Sequence, residues 1–303
     1  MATPTPVLRE ASSAIVPAGH VFLAENHDYA YYLWRERGIK DRILVHVDAH
    51  HDLWWIPEKG SPSIANFLCQ ALRENQVREL VWVVPDPTWE SRRSRRPLLS
   101  HLKELARKYP GGQQPVEVTE DAISTVLLGK PLRICPLATL PKFAEDVLLD
   151  IDTDFFVIPR VSFRDWDTHS QLPWCWPEEL VTRLGAAGLQ AEMATIVYSV
   201  EGGYTPLKWK YLGDEMALRL RDARDEETMR GMRLLREAAV AAHHGEPTAA
   251  EQLYQQAEQL LPASAAPPFH LAQLYVETGR LDEARSFYRK ALAIDPSYRT
   301  PYN

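Results

Sequence analysis

RILVHV, at residues 42–47, is almost continuously apolar and runs straight into Asp48-Ala49-His50-His51-Asp52. The same kind of run recurs as VFLAE (21–25), ELVWVVP (79–85), DVLLDID (146–152) and TIVYSV (195–200). A strand with one wet face alternates polar and apolar residues; a strand buried on both faces does not. These runs therefore predict a parallel sheet covered on both sides. Between them, DYAYYLWRERG (28–38), SIANFLCQALRENQ (63–76), LLSHLKELARKY (98–109) and PEELVTRLGAAG (177–188) carry helical patterns. Alternating strands and helices predict an α/β doubly wound domain.

Ligands in such a sheet bind beyond the carboxyl ends of the strands. Here those ends carry charge. RILVHV leads to Asp48, His50, His51 and Asp52. DVLL leads to Asp150, Asp152 and Asp154. TIVYSV leads to Glu201, and VFLAEN to His27. Buried carboxylates are costly unless paired or bound to metal, so their convergence predicts cations. Asp and His without Cys suit Mn, Fe, Co or Zn better than Ca or an iron–sulfur cluster. A spacing of two sets Asp48, His50 and Asp52 on one side of an extended backbone, and Asp150 and Asp152 likewise. His46 and His51 are read as out of phase with the ligands, in structural or supporting positions. Asp154 has the spacing of a further ligand and is open between ligand and support. A single Asp at a strand end is usually a cap or turn residue, and His27 alone could cap a helix. Six ligand-type residues in three segments, all at strand ends, argue against that reading for the group.

Beyond residue 222 the texture changes to Ala, Glu, Gln, Leu and Arg, and the chain reads as helix. Gly245, Ala250, Tyr254, Ala257 and Pro262 recur 34 residues later as Gly279, Ala284, Tyr288, Ala291 and Pro296. Period and positions resemble tetratricopeptide repeats, best in LDEARSFYRKALAIDPS. The expected division is a domain over 1–222 and a helical module over 223–303. Two repeats are fewer than the three that usually stand alone, so this module is expected to pack on the first domain or on another copy of the chain, giving a homo-oligomer.

Composition excludes several classes. Net charge is -7 and pI about 5.8, which points to neither nucleic acid nor an anionic membrane. There is no apolar stretch of membrane-spanning length and no basic-then-apolar leader at the start. Cys69, Cys135 and Cys175 are odd in number and lack a CxxC, so a reducing, cytoplasmic setting is expected.

The strand-end motifs resemble those of the ureohydrolases, the arginase and agmatinase superfamily. HVDAHHD resembles their DAHxD signature, LLDIDTDFF their SFDxDxxDP segment, LAENHDYA their GGDHSLA segment and YSVEGGYTP their DIMEVNP strand. The matches keep the family's chain order across most of residues 20–220. The resemblance implies a sheet of the arginase/deacetylase type holding two Mn ions, with Fe or Co as alternatives. It implies one metal on His27, Asp48, Asp52 and Asp150 and another on Asp48, His50, Asp150 and Asp152, bridged by Asp48 and Asp150. A bridging hydroxide attacks a guanidinium carbon, giving urea and an amine. Glu201 falls on the carboxylate that grips the guanidinium.

The chain also departs from the family. Phe155 and Phe156 replace the final Asp-Pro. The shuttle histidine of an SGNLHG-like loop has no counterpart in GSPSIANF, where Asn66 stands nearest; His51 is the remaining candidate proton carrier. Matches to the loops that recognise the α-amino and carboxylate groups of free arginine are missing. These features resemble a divergent arginase-like branch containing the peptide arginases. That implies an arginine-containing, ribosomally made precursor peptide as substrate, converted to ornithine, with the repeats offering a concave peptide-binding surface. Catalytic candidates are thus Glu201, Asp154 and His51; substrate contacts are Glu201, Asn66 and Trp54 (or its neighbour Trp55), whose ring suits a guanidinium. Two rival readings stay open: a single-Zn amide deacetylase of the related fold, and a non-catalytic scaffold with a metal-stabilised first domain.

Overall fold

The structure, a computed structural model, describes residues 15–57, 60–110, 115–161, 163, 169–221 and 225–299. The strands are β1 (Val21–Ala24), β2 (Arg42–Val47), β3 (Val77–Val84), β4 (Glu117–Val118), β5 (Ile123–Leu127), β6 (Lys130–Pro136), β7 (Val147–Asp152) and β8 (Ala191–Val197). They form one eight-stranded sheet in the order β1-β8-β7-β2-β3-β6-β5-β4. The strands from β1 to β6 in that order are parallel neighbours, and β5 and β4 add an antiparallel edge.

Both faces of the sheet are buried, as the continuous apolar runs predict. Consecutive residues enter opposite cores: Leu44, Leu80 and Leu148 on one side, Val45, Val81 and Leu149 on the other. The helices α1 (Tyr29–Glu36), α2 (Phe67–Arg73) and α3 (Arg92–Lys108) cover the first face; α4 (Pro177–Ala186) and α5 (Tyr211–Leu220) cover the second. With a two-residue period, His46 continues the side of Leu44, and Asp150 and Asp152 continue the side of Leu148. His46 is therefore in phase with the cluster rather than out of it. The edge hairpin β5–β6 was hidden from sequence reading. Its two-residue turn is Leu128-Gly129, with φ +53 and +74, and Leu stands where such a turn normally shows Asn or Asp.

The repeat region folds as α6 (Glu226–His243), α7 (Pro247–Leu260), α8 (Ala266–Glu277) and α9 (Leu281–Ile294). The repeated residues have distinct duties. Gly245 and Gly279, at φ +77 and +78, turn the chain out of α6 and α8. Ala250, Ala257, Ala284 and Ala291 are buried where helices meet. This module packs on the first domain through one continuous apolar cluster. His270 Nε2 lies 2.9 Å from the Lys208 carbonyl, Lys210 pairs with Asp295 at 2.7 Å, and Arg236 with Glu178 at 3.1 Å. The expected boundary at residues 222 and 223 lies outside the described residues. No helix is long and apolar enough to cross a membrane among the described residues.

Candidate metal centre

The DAHHD segment does not stay extended. β2 ends at Val47, and Asp48 Oδ1 then accepts from the His50 amide at 2.6 Å. Asp52 takes φ +47, a backbone state that Asp tolerates better than most side chains. A turn, rather than strand alternation, gathers these side chains. His27 arrives from the turn between β1 and α1.

Strand pairing sets the depth of each carboxylate. His46 stands opposite Asp150, and Val47 opposite Ile151, so Asp152 comes level with Asp48. Two groupings result. His27 Nδ1 lies 3.3 Å from Asp48, 2.9 Å from Asp52 and 3.2 Å from Asp152. His50 Nδ1 lies 2.8 Å from Asp154 and 3.5 Å from Asp48. Asp154 thus stands among ligand-type atoms, beside His50. Asp150 sits one step deeper, bonded to His27 Nε2 at 2.7 Å and His46 Nδ1 at 2.9 Å. The potential cation groupings include His27-Asp48-Asp152, His46-Asp48-Asp52, Asp48-His50-Asp154 and His27-His46-Asp150.

Five aspartates meet three imidazoles here, all but His50 buried. Burial would raise the Asp48 pKa, yet bonds from His27, His46 and His50 hold it well below the usual carboxylate range. Asp52 is pushed up by burial and by the charge of Asp48. Asp154 is pushed well up by burial and by Asp152 and Asp48. Those two carboxylates lack enough positive charge around them. Asp48 Oδ2 is moreover buried with no well-aligned hydrogen bond, its nearest donors being His46 Nε2 at 3.2 Å and His27 Nδ1 at 3.3 Å. Carboxylates with uncompensated charge and a poorly bonded oxygen are what divalent cations satisfy, so the donor set fits them.

The cluster opens into a cavity of about 360 Å³. Trp54, 37% exposed, forms part of its wall, as do His51, Ser199 and Tyr204. Among the described residues, no Lys or Arg lines it. His51 has both ring nitrogens engaged: Nδ1 accepts from the Leu53 amide at 2.8 Å, and Nε2 meets His101 Nε2 at 2.9 Å. Burial and the neighbouring His101 hold its pKa well below the ordinary histidine value. Both of its nitrogens therefore already have protein partners.

Asn66 and Glu201 are not brought to the cavity wall. Asn66 Oδ1 accepts from the Ser63 amide at 2.8 Å within a turn, and Ile64 and Ala65 of that segment face the cavity instead. The Glu201 side chain is exposed, because its amide, with that of Val200, is tied back to Glu25 Oε1 at 2.6 Å. Trp55 packs under the Arg73 guanidinium, 4.9 Å away.

Other site residues escaped the sequence reading. Ser199, at φ +51, donates its hydroxyl to Asp152 at 2.6 Å. The Tyr204 ring meets the His50 ring edge-on at 5.2 Å, and Gly202 leaves the space that this ring fills, since a Cβ there would lie 2.7 Å from it. His101 stacks on Phe163 at 3.7 Å. Of these, Ser199 and Tyr204 flank Glu201 in YSVEGGYTP, and that proximity is the only signal the sequence offered.

Residues 241–302 match the tetratricopeptide repeat family. No curated protein matches the chain. Among solved structures, the chain is similar to a hypothetical agmatinase from Burkholderia thailandensis, at 13% identity and TM-score 0.37, covering 67% of this chain and 60% of that one. It is also similar to an arginase from Medicago truncatula, at 18% identity and TM-score 0.37, covering 66% and 59%. The chain thus spans about three-fifths of the length of those proteins.

Proposed function

We propose that the protein is a divalent-cation-dependent hydrolase that converts arginine side chains within a peptide to ornithine and urea. The observation that carries this reading is the pair of donor groupings that meet at Asp48 on the floor of one open cavity. His27 Nδ1, Asp48, Asp52 and Asp152 would hold one cation; Asp48, His50 Nδ1, Asp152 and Asp154 would hold the other. Mn is the first choice, and Fe or Co suit the same donors.

Bound cations would supply an activated water near neutral pH and electrophilic stabilisation of the reacting carbon's substituents. The chain's own residues do the rest. Ser199 fixes one oxygen of Asp152, and the Tyr204 ring limits how His50 can turn. The acidic floor attracts the flat guanidinium cation. Trp54 offers an aromatic wall that already draws a cation, since Lys108 Nζ lies 4.8 Å from its ring centre. A free amino acid would need a cationic group for its α-carboxylate, and among the described residues none lines the cavity. That favours an arginine whose backbone is already in amide linkage. The repeat module adds a second surface for such a chain.

The test is urea release by the Mn-loaded protein from a capped arginine peptide, free arginine and agmatine. The expected product peptide is lighter by about 42 Da per arginine, the mass change of guanidinium hydrolysis to an amine. Urea from free arginine or agmatine but never from the peptide overturns the peptide assignment. A protein that binds two cations yet releases urea from none of the three overturns the reaction itself.

A further inference from the structure

Asp150 and His46 belong to the cluster but line no part of the cavity. Asp150 is held by three side-chain donors. Its Oδ2 takes His27 Nε2 at 2.7 Å and His46 Nδ1 at 2.9 Å, and its Oδ1 takes the Thr195 hydroxyl. Three donors on one carboxylate leave little room for a cation. Each partner is on a different strand or turn, and each side chain is buried. His46 also reaches the other way, its Nε2 standing 3.2 Å from Asp48 Oδ2.

A neutral imidazole, the form that binds a cation, presents one nitrogen as a lone pair when the other donates to a carboxylate. Asp150 therefore settles which face of His27 the cluster sees: Nε2 is committed downward, and Nδ1 points among Asp48, Asp52 and Asp152. We propose that Asp150 is a positioning residue that fixes the orientation and tautomer of His27, with His46 tying the same carboxylate to Asp48. The proposal rests on the two-cation reading above. Its consequence is asymmetric. The cation held by His27 depends on Asp150 directly, whereas the one held by His50 and Asp154 is reached only through His46 and the shared Asp48.

The test titrates chelator-stripped protein with Co(II), whose visible spectrum and paramagnetically shifted imidazole N–H resonances report individual histidines. Asp150→Asn is expected to bind two cations at saturation, one of them about 10–100-fold more weakly than wild type. The N–H resonance of His27 is expected to move or vanish, with the signals of the His50 site changed less. Thr195→Val removes a donor to Asp150 without touching either histidine, and should weaken the same cation by a smaller factor; it serves if Asp150→Asn does not fold. Wild-type affinities and resonances in these variants overturn the proposal. So does loss of one cation at any Co(II) concentration, because Asp150 would then be a ligand. A wild-type protein that binds no divalent cation overturns the two-cation reading and this inference together.

Discussion

Individual titrating groups give the stripped protein an unusual pH response. Burial opposes charge on His46, but the bonds from Asp150 and Asp48 raise its pKa from 6.5 to about 10. The stability it contributes is complete below its unfolded pKa and is lost as pH climbs towards the folded value, on the order of a few kcal/mol in all. Asp52 and Asp154 are raised as well, so they too favour the fold only while protonated. Asp48 and Asp150 are lowered, and their contribution is lost only in acid. The protein stripped of cations should therefore unfold at a lower temperature at about pH 9.5 than at about pH 6.5. Cations compete with those protons, so loading the protein should narrow the difference. Calorimetry at the two pH values, with and without cation, measures it; equal stability of the stripped protein at both would contradict the charge arrangement. The sequence made His27, Asp48, His50 and Asp52 legible because they sit in two compact motifs, LAENHDYA and DAHHD. It could not rank Asp150, Asp152 and Asp154, which share one run. Their depth depends on how β7 pairs with β2, and pairing register is not written in either strand alone.

Among the elements, the helix pair α6–α7 shows a close approach that the repeat pattern does not advertise. Gly231 lies on α6, and a Cβ there would stand 2.6 Å from Leu261 Cγ and 3.1 Å from Leu260 Cβ. Alanine favours a helix interior over glycine by about 1 kcal/mol, but overpacking costs about 1–3 kcal/mol. The Leu260 Cβ is fixed to its backbone and cannot swing away, so packing wins. Gly231→Ala should lower stability by about 1 kcal/mol. Gly185 on α4 has open space around it, and Gly185→Ala should raise stability by up to about 1 kcal/mol. Denaturant midpoints of the pair check the opposite signs. At this scale the five buried strands were legible because their runs are uniformly apolar. Helix α5 was missed, as was the β5–β6 hairpin, for the reason its Leu128 turn supplies. The start of α3 was read late: Ser91 caps it at the Ser94 amide, ahead of a run of arginines and Pro97 that does not look helical.

For the whole molecule, the repeats and the first domain share one core. Trp209 and Tyr211 are buried against the module, with ring centres 6.1 and 5.7 Å from His270. Removing residues 223–303 would bare that apolar surface, costing about 25 cal/mol for each Å² returned to water. The truncated chain should bind a hydrophobic dye and aggregate, whereas the full chain stays monodisperse; light scattering and dye fluorescence distinguish them, and a well-behaved truncated domain would argue that the module is merely appended. The sequence made the helical module legible through its 34-residue period, but the ion pair of Lys210 with Asp295 joins residues whose nearness only the tertiary fold creates. The sheet order carries a last consequence, for how the chain reaches its working form. The cluster's residues come from β1, β2, β7 and β8 or the turns after them, and β1 completes its pairing only with β8, Val21 against Ala194. Pairings so distant along the chain form slowly. A nascent chain still lacking β8 can hold DAHHD but neither Ser199 nor a seated β1 to aim His27. The complete set of side chains in the cluster is therefore brought together only after β8 has been made.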